Sequence, residues 1–180
     1  LWLVAVLVML GQMEINIGPI IAAAGVFGLA FSFGAQSLVK DFISGMFMLF
    51  ENQIRVGDVA IINGTGGLVE EINLRTVVLR DLHGTVHVFP NGVIQGLSNM
   101  TMDWSAAVMD IGVAYKEDTD RVMDLMVQTA KKMREDEQWK NIIIEDMEMM
   151  GVNEFADSAV VIRGRIKTTP INQWSVAREY

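Results

Sequence analysis

From Ile20 to Phe50 the chain runs for 31 residues with only two charges, Lys40 and Asp41. Coiled as a helix at about 1.5 Å per residue, that run is roughly 46 Å long. A bilayer core of about 30 Å needs only about 20 apolar residues. One straight span therefore cannot use all of it. Lys40 and Asp41 fall where the surplus begins, so the second part is expected to leave the hydrocarbon or bend along its surface.

The rest of the chain divides at the same place. Residues 1–39 hold a single charged residue, Glu14, whereas the other 21 acidic and all 14 basic residues come after position 39. Residues 1–13 ("LWLVAVLVMLGQM") read as the end of a preceding transmembrane helix, since they lack the charged leader and small-residue cleavage site of a signal peptide. "EINIGP" (14–19) is a short connection, with Pro19 suited to the first turn of the next helix. Lys40, Arg55, Arg75 and Arg80 all follow the apolar run, which puts the C-terminal side in the cytoplasm by the positive-inside tendency. The absence of cysteine excludes disulfides and thiol chemistry. The net charge of −8 is concentrated in residues 103–157, where 14 acidic residues face 6 basic ones. No basic stripe exists for nucleic acid. The acidic stretch reads as a solvated domain surface, or as a charge bias along an ion path.

Beyond Glu51 the pattern becomes that of strands. "IRVGDVAIING" (54–64), "GLVEEINLRTVVLRDLHG" (67–84) and "TVHVFPNG" (85–92) are rich in Val and Ile and broken by the turn signals "NGTGG", "LHG" and "PNG". They predict a small antiparallel β-domain over 54–102. A strand around 108–115, an amphipathic helix over 118–135, strands near 145–151 and 158–168 and a helix starting at Ile171 follow. Strand-helix-strand-strand-helix over 106–180 predicts an α+β, ferredoxin-like module, truncated at its end.

The helix predicted over 19–51 has an unusual wheel. At about 100° per residue, Gly28, Ser32, Ala35 and Ala24 share one face, and Ala30, Ala23, Gly34 and Ser37 share a second. Leu29 and Phe33 lie on the stripe between them, with Gln36 near its edge, and Phe27, Phe31, Leu38 and Ile20 lie opposite. Small residues let helices approach closely in lipid. Two such faces let each helix touch two neighbours, and identical copies then close into a ring. Leu29 and Phe33 would face the ring's axis, where apolar side chains block ions by excluding water. Packing inside an ordinary helix bundle uses the same small residues, and the charged, over-long continuation is what favours the ring.

"GVFGLAFSFGAQSLVKDFISGMFMLFENQIRVGDVAIING", then "GLVEEINLRTVVLRDLHGTVHVFPNGVI", then "LSN" resemble the small-conductance mechanosensitive channel family (MscS-like), strongly over residues 18–102 and more loosely beyond. The resemblance implies a homoheptamer in a bacterial inner membrane or an organellar membrane, multi-pass, with a pore-lining helix above a hollow cytoplasmic vestibule. Membrane tension would open a weakly selective pore to ions and small osmolytes on osmotic down-shock. Carried over by motif, Leu29 and Phe33 match the sealing positions; Gly28, Ala30 and Ser32 the close packing, to which the wheel adds Gly34; Gln36 and Ser37 the main kink; and Gly45 a further bend. Ser37 replaces a glycine often found at the kink, and Phe33 a smaller leucine. Lys40 and Arg55 are expected at the membrane interface, with lipid head groups as partners.

Other chemistry finds little support. "NGTGGLVEEI" lacks the GK[ST] of a phosphate loop and reads as a turn between strands. His83 and His87 are four apart, but "DLHGTVHV" is turn and strand, without cysteine or HExxH, so no metal and no cofactor is expected. "EDMEMMG" (145–151) reads as adaptable core packing, and "PNG" (90–92) as a turn with an architectural role. With no catalytic triad or dinucleotide fingerprint, an enzyme is not expected. The alternative to a channel is a membrane-anchored oligomeric scaffold or ligand-sensing protein that does not conduct.

Overall fold

The computed structural model describes residues 16–180 together with Trp2, Val6, Met9 and Gln12. The helix end expected over 1–13 thus lies largely outside the described residues. One helix, α1, runs from Gly18 to Phe50 with Pro19 in its first turn. Its helical hydrogen bonding continues through Gln36, Ser37 and Gly45. Among the described residues it is the one helix long and apolar enough to cross a membrane, and none of them buries any residue of its most apolar window.

Five strands follow: β1 (Val59–Ile62), β2 (Thr65–Ile72), β3 (Thr76–Arg80), β4 (Val86–Pro90) and β5 (Leu97–Asn99). They form one antiparallel sheet in the order β4-β3-β2-β1-β5. Asn63 and Gly64, with φ of 50° and 85°, join β1 to β2. Positive φ at both central residues is what a two-residue hairpin turn demands, so "NG" does here what its chemistry suggests. The apolar run 67–84 is split into two strands, because Asn73 turns the chain and its N–H donates to the Thr76 carbonyl at 2.8 Å. The alternating residues Ala60, Ile62, Val69, Val77 and Leu79 meet Ile54 in the core, and Met48 of α1 joins them.

The second module contains β6 (Ser105–Val113), α2 (Thr119–Glu135), β7 (Glu148–Phe155), β8 (Val160–Thr168) and α3 (Gln173–Glu179). Its sheet order is β6-β8-β7, antiparallel throughout. α2 starts where the Asp118 carboxylate accepts from the N–H groups of Asp120 and Arg121, an N-cap, and ends with Lys132 and Arg134 near its carbonyl end. Its apolar stripe of Val122, Met126, Ala130 and Met133 packs against β8 residues Ile162 and Ile166. The strand expected at 145–151 starts instead at Glu148, because Ile143 bridges to Thr168 and Met147 enters the core. The opposite face of β8 carries Arg163, Arg165 and Lys167, which pair with Asp110 at 2.6 Å, Glu148 at 2.5 Å and Glu145 at 2.8 Å. Part of the acidic excess of residues 103–157 is thereby neutralised on this sheet face. Pairs this exposed add little stability.

The two cores are separate clusters of residues. Leu79→Ala, at a site with no solvent exposure, is expected to cost about 2–5 kcal/mol. The loss should appear in denaturant unfolding of the β-domain and leave the transition of the Ile162 and Ile166 core in place.

Candidate functional site

The first half of α1 is exposed on every face of the single chain. Leu29 is 61% and Phe33 73% exposed, and Gly28, Ala30, Ser32, Gly34, Gln36 and Ser37 are exposed as well. A side chain added at Gly28 or Gly34 would meet no atom of the described residues within 4 Å beyond the helix's own adjoining backbone. Both small faces are open surfaces of the single chain. From Pro19 to Val39 the helix has no charge and about 31 Å of length at about 1.5 Å per residue, close to one bilayer core of about 30 Å.

At Asp41 the situation changes abruptly. Asp41, Gly45 and Met48, spaced by about one helical turn, are the three buried residues of α1. They form the stripe that docks on the β-domain. Asp41 is 6% exposed as a residue, and its carboxylate accepts from the Gly92 N–H at 2.8 Å. Arg75 approaches its other oxygen to 3.9 Å. Gly92 belongs to the single 3₁₀ turn Asn91–Val93 that follows β4. Any Cβ there would press on Asp41 Oδ1 at 2.6 Å. Asn91, 1% exposed, donates its amide to the carbonyls of Asn73 at 3.0 Å and Leu74 at 2.9 Å. It thus staples the β2–β3 turn to the 3₁₀ turn. Gly45 sits directly over this staple: a Cβ at Gly45 would overlap the Asn91 amide and the Leu74 carbonyl. Met48 completes the stripe by entering the β-domain core.

Asp41 therefore lies in the joint between helix and β-domain, where an amide N–H and a guanidinium compensate its burial. That resolves how a charge can sit inside so apolar a helix. Sequence reasoning placed Lys40 and Asp41 where the helix leaves lipid but did not find the partner, and it gave "PNG" a turn role only. The available signal was the pair of glycines, Gly45 and Gly92, one in a helix and one after Pro-Asn. The structure supplies for Gly45 a close-packing reason distinct from bending.

Lys40 remains exposed at the edge of the joint, its stem lying against Gly92. Arg55, also exposed, follows the helix in a tight turn. Its N–H donates to Asp58 at 2.9 Å and its guanidinium to Asn52 at 3.0 Å. Asp58 in turn accepts from Asn99 at 2.7 Å, tying the turn to β5.

The two histidines have structural surroundings. His87 lies 3.1 Å from Asp81, and Asp81 also accepts from the N–H groups of His83 and Thr85. These contacts, led by the His87 hydrogen bond, lower the Asp81 pKa from 3.8 to about 2. A carboxylate with a lowered pKa contributes stability above its unfolded value and loses it as pH falls through the folded one. Wild-type protein and Asp81→Asn are thus expected to differ in stability at neutral pH and to converge as pH drops from about 3.8 through about 2. Thermal unfolding across that range checks it. No cluster of three or more metal-ligating side chains occurs among the described residues.

A family model described as the mechanosensitive ion channel β-domain matches residues 37–102, which begin just ahead of Asp41 and contain the whole joint. The chain is 39% identical over 169 residues to the small-conductance mechanosensitive channel of Caldanaerobacter subterraneus subsp. tengcongensis, covering 92% of this chain and 58% of that protein. It is 32% identical over 173 residues to the moderate conductance mechanosensitive channel YbiO of Escherichia coli, covering 96% of this chain and 23% of that one. The chain thus spans less than two thirds of either relative. Its fold matches the closed-state crystal structure of Helicobacter pylori MscS with a TM-score of 0.71 at 20% identity, over 98% of this chain and 70% of that one.

Proposed function

The chain belongs to the small-conductance mechanosensitive (MscS-like) channel family, and on that premise we propose that it is the pore-forming part of a tension-gated channel subunit, not an enzyme. The observation that carries the reading is the division of α1. None of the 21 uncharged residues from Pro19 to Val39 is buried against the other described residues, and both small faces are open there. The tail from Asp41 is locked to a β-domain. An apolar surface of that size on one chain calls for lipid and for other copies of itself.

In the proposed assembly α1 helices pack through Gly28, Ala30, Ser32 and Gly34 into a ring, a heptamer by analogy with the family. Leu29 and Phe33 line the axis as a hydrophobic seal that excludes water. Gln36 and Ser37 serve as the bends, Gly45 seats the helix tail on the β-domain in place of the bending role the resemblance implies, and Lys40 and Arg55 lie at the head groups. The membrane is a bacterial inner membrane or its organellar counterpart, the chain part of a multi-pass subunit with the β-domain on the cytoplasmic side. Tension tilts the helices apart, and ions and small osmolytes leave on osmotic down-shock.

Single-channel current from the full-length protein in liposome patches under stepped suction tests this. Pressure-dependent steps are expected. Silence from a correctly inserted oligomer would overturn the reading in favour of a non-conducting scaffold. The packing face has its own test: Gly28→Leu should obstruct sliding of neighbouring helices and raise the opening pressure, and a normal threshold would mean that face is not a tight contact.

A further inference from the structure

The joint contains a charge that its hydrogen bonding does not require. Asn at position 41 would offer the same side-chain oxygen to the Gly92 N–H, and burying a carboxylate is costly. What the charge adds is attraction to Arg75, whose side chain is 55% exposed while that of Asp41 is 8% exposed. Among the described residues Arg75 has no other carboxylate within ion-pairing distance. Half of the pair is thus sealed in the joint and half stands in solvent, where dissolved ions reach it.

We propose that Asp41, Gly92 and Arg75 form an ionic latch between α1 and the β-domain, one whose hold weakens as the salt concentration on the β-domain side rises. The proposal rests on the channel reading for its consequence but not for its chemistry. The screening length shrinks from about 10 Å in 0.1 M salt to about 3 Å in 1 M. For a pair 3.9 Å apart with one partner sealed and the other in solvent, salt weakens the attraction only in part, through the exposed Arg75 end, and by less than it would for two exposed charges. One such pair shifts the docked-to-undocked ratio about twofold, and a ring of identical subunits applies the shift once per copy. Salt-rich cytoplasm would leave the helix tail looser and the pore easier to open. Loss of ions through the open pore would then tighten the joint and favour return to the docked arrangement. The latch would couple the end of efflux to the ion loss that efflux causes.

The Gly92 amide reports the latch directly, because its hydrogen is the one Asp41 holds. In the full-length protein, hydrogen exchange at Gly92 is expected to quicken, by at most about twofold, between about 0.1 M and 1 M KCl relative to Asp41→Asn, which keeps the acceptor but not the charge. Arg75→Gln is expected to lose the salt response as Asp41→Asn does. Equal salt dependence in all three proteins, or none in the wild type, would overturn the latch. In liposome patches, raising KCl on the β-domain side should lower the opening pressure of wild type and not of Asp41→Asn; a shift shared by both would overturn its role in gating. Absence of any pressure-activated current would overturn the channel reading instead, and the exchange measurement would still judge the latch itself.

Discussion

Gly45→Ala is expected to destabilise the docking of α1 by about 1–3 kcal/mol, the usual cost of forcing a methyl group into filled space. The sign is what makes the experiment informative. In a free helix the same change stabilises by up to about 1 kcal/mol, since alanine is the better helix former. At Gly45 the added Cβ meets the Leu74 carbonyl and the Asn91 amide, neither of which can retreat cheaply: Asn91 is held by its bonds to Asn73 and Leu74. The tail must therefore lift, carrying Met48 out of the β-domain core and straining the Asp41–Gly92 bond. Thermal unfolding of the oligomer in detergent, with the opening pressure measured beside it, reads the effect. A variant as stable as wild type, with an altered channel, would assign Gly45 to bending. Stability and gating both unchanged would remove it from the joint altogether.

Phe33→Ser is expected to give the largest functional change, a channel that opens at lower tension or leaks at rest. The apolar contribution of one phenylalanine side chain held out of water is about 1.5–3 kcal/mol. One subunit's share already corresponds to about a tenfold or greater shift in the closed-to-open ratio, and every copy in a ring contributes. The hydroxyl of serine would also hydrate the constriction in the closed state, removing the vapour-like barrier that an apolar ring provides. Patch recordings under stepped suction are the measurement. An unchanged threshold and a tight closed state would mean that Phe33 faces lipid or another helix, and the seal would have to be sought elsewhere on α1.

Much of the architecture was legible in the residues. Periodicity marked α1 and its two small faces, because in a helix the side-chain direction follows from position alone. Turn chemistry marked the hairpins, since Asn63-Gly64 suits positive φ and few other pairs do. The amphipathic stripe of α2 was likewise a local signal. Strand limits near Glu148 were less legible, because Met147 is as apolar as a strand residue yet belongs to the core beneath the sheet. Gly45 was noticed, but its sequence alone gave no means of telling a hinge from a contact.

The lipid-like first half of α1, the β-rich middle and the strand-helix order of the last third were determined by the sequence on its own. Each depends on interactions between residues a few positions apart, and those leave a period that can be read. What only the tertiary structure decided is the joint. Asp41 and Gly92 stand 51 residues apart, and no local pattern says which backbone N–H will meet a buried carboxylate. The strand order brings the β2–β3 turn and the turn after β4 side by side. Only there do Leu74, Arg75, Asn91 and Gly92 make one surface narrow enough to require a glycine in the helix above it.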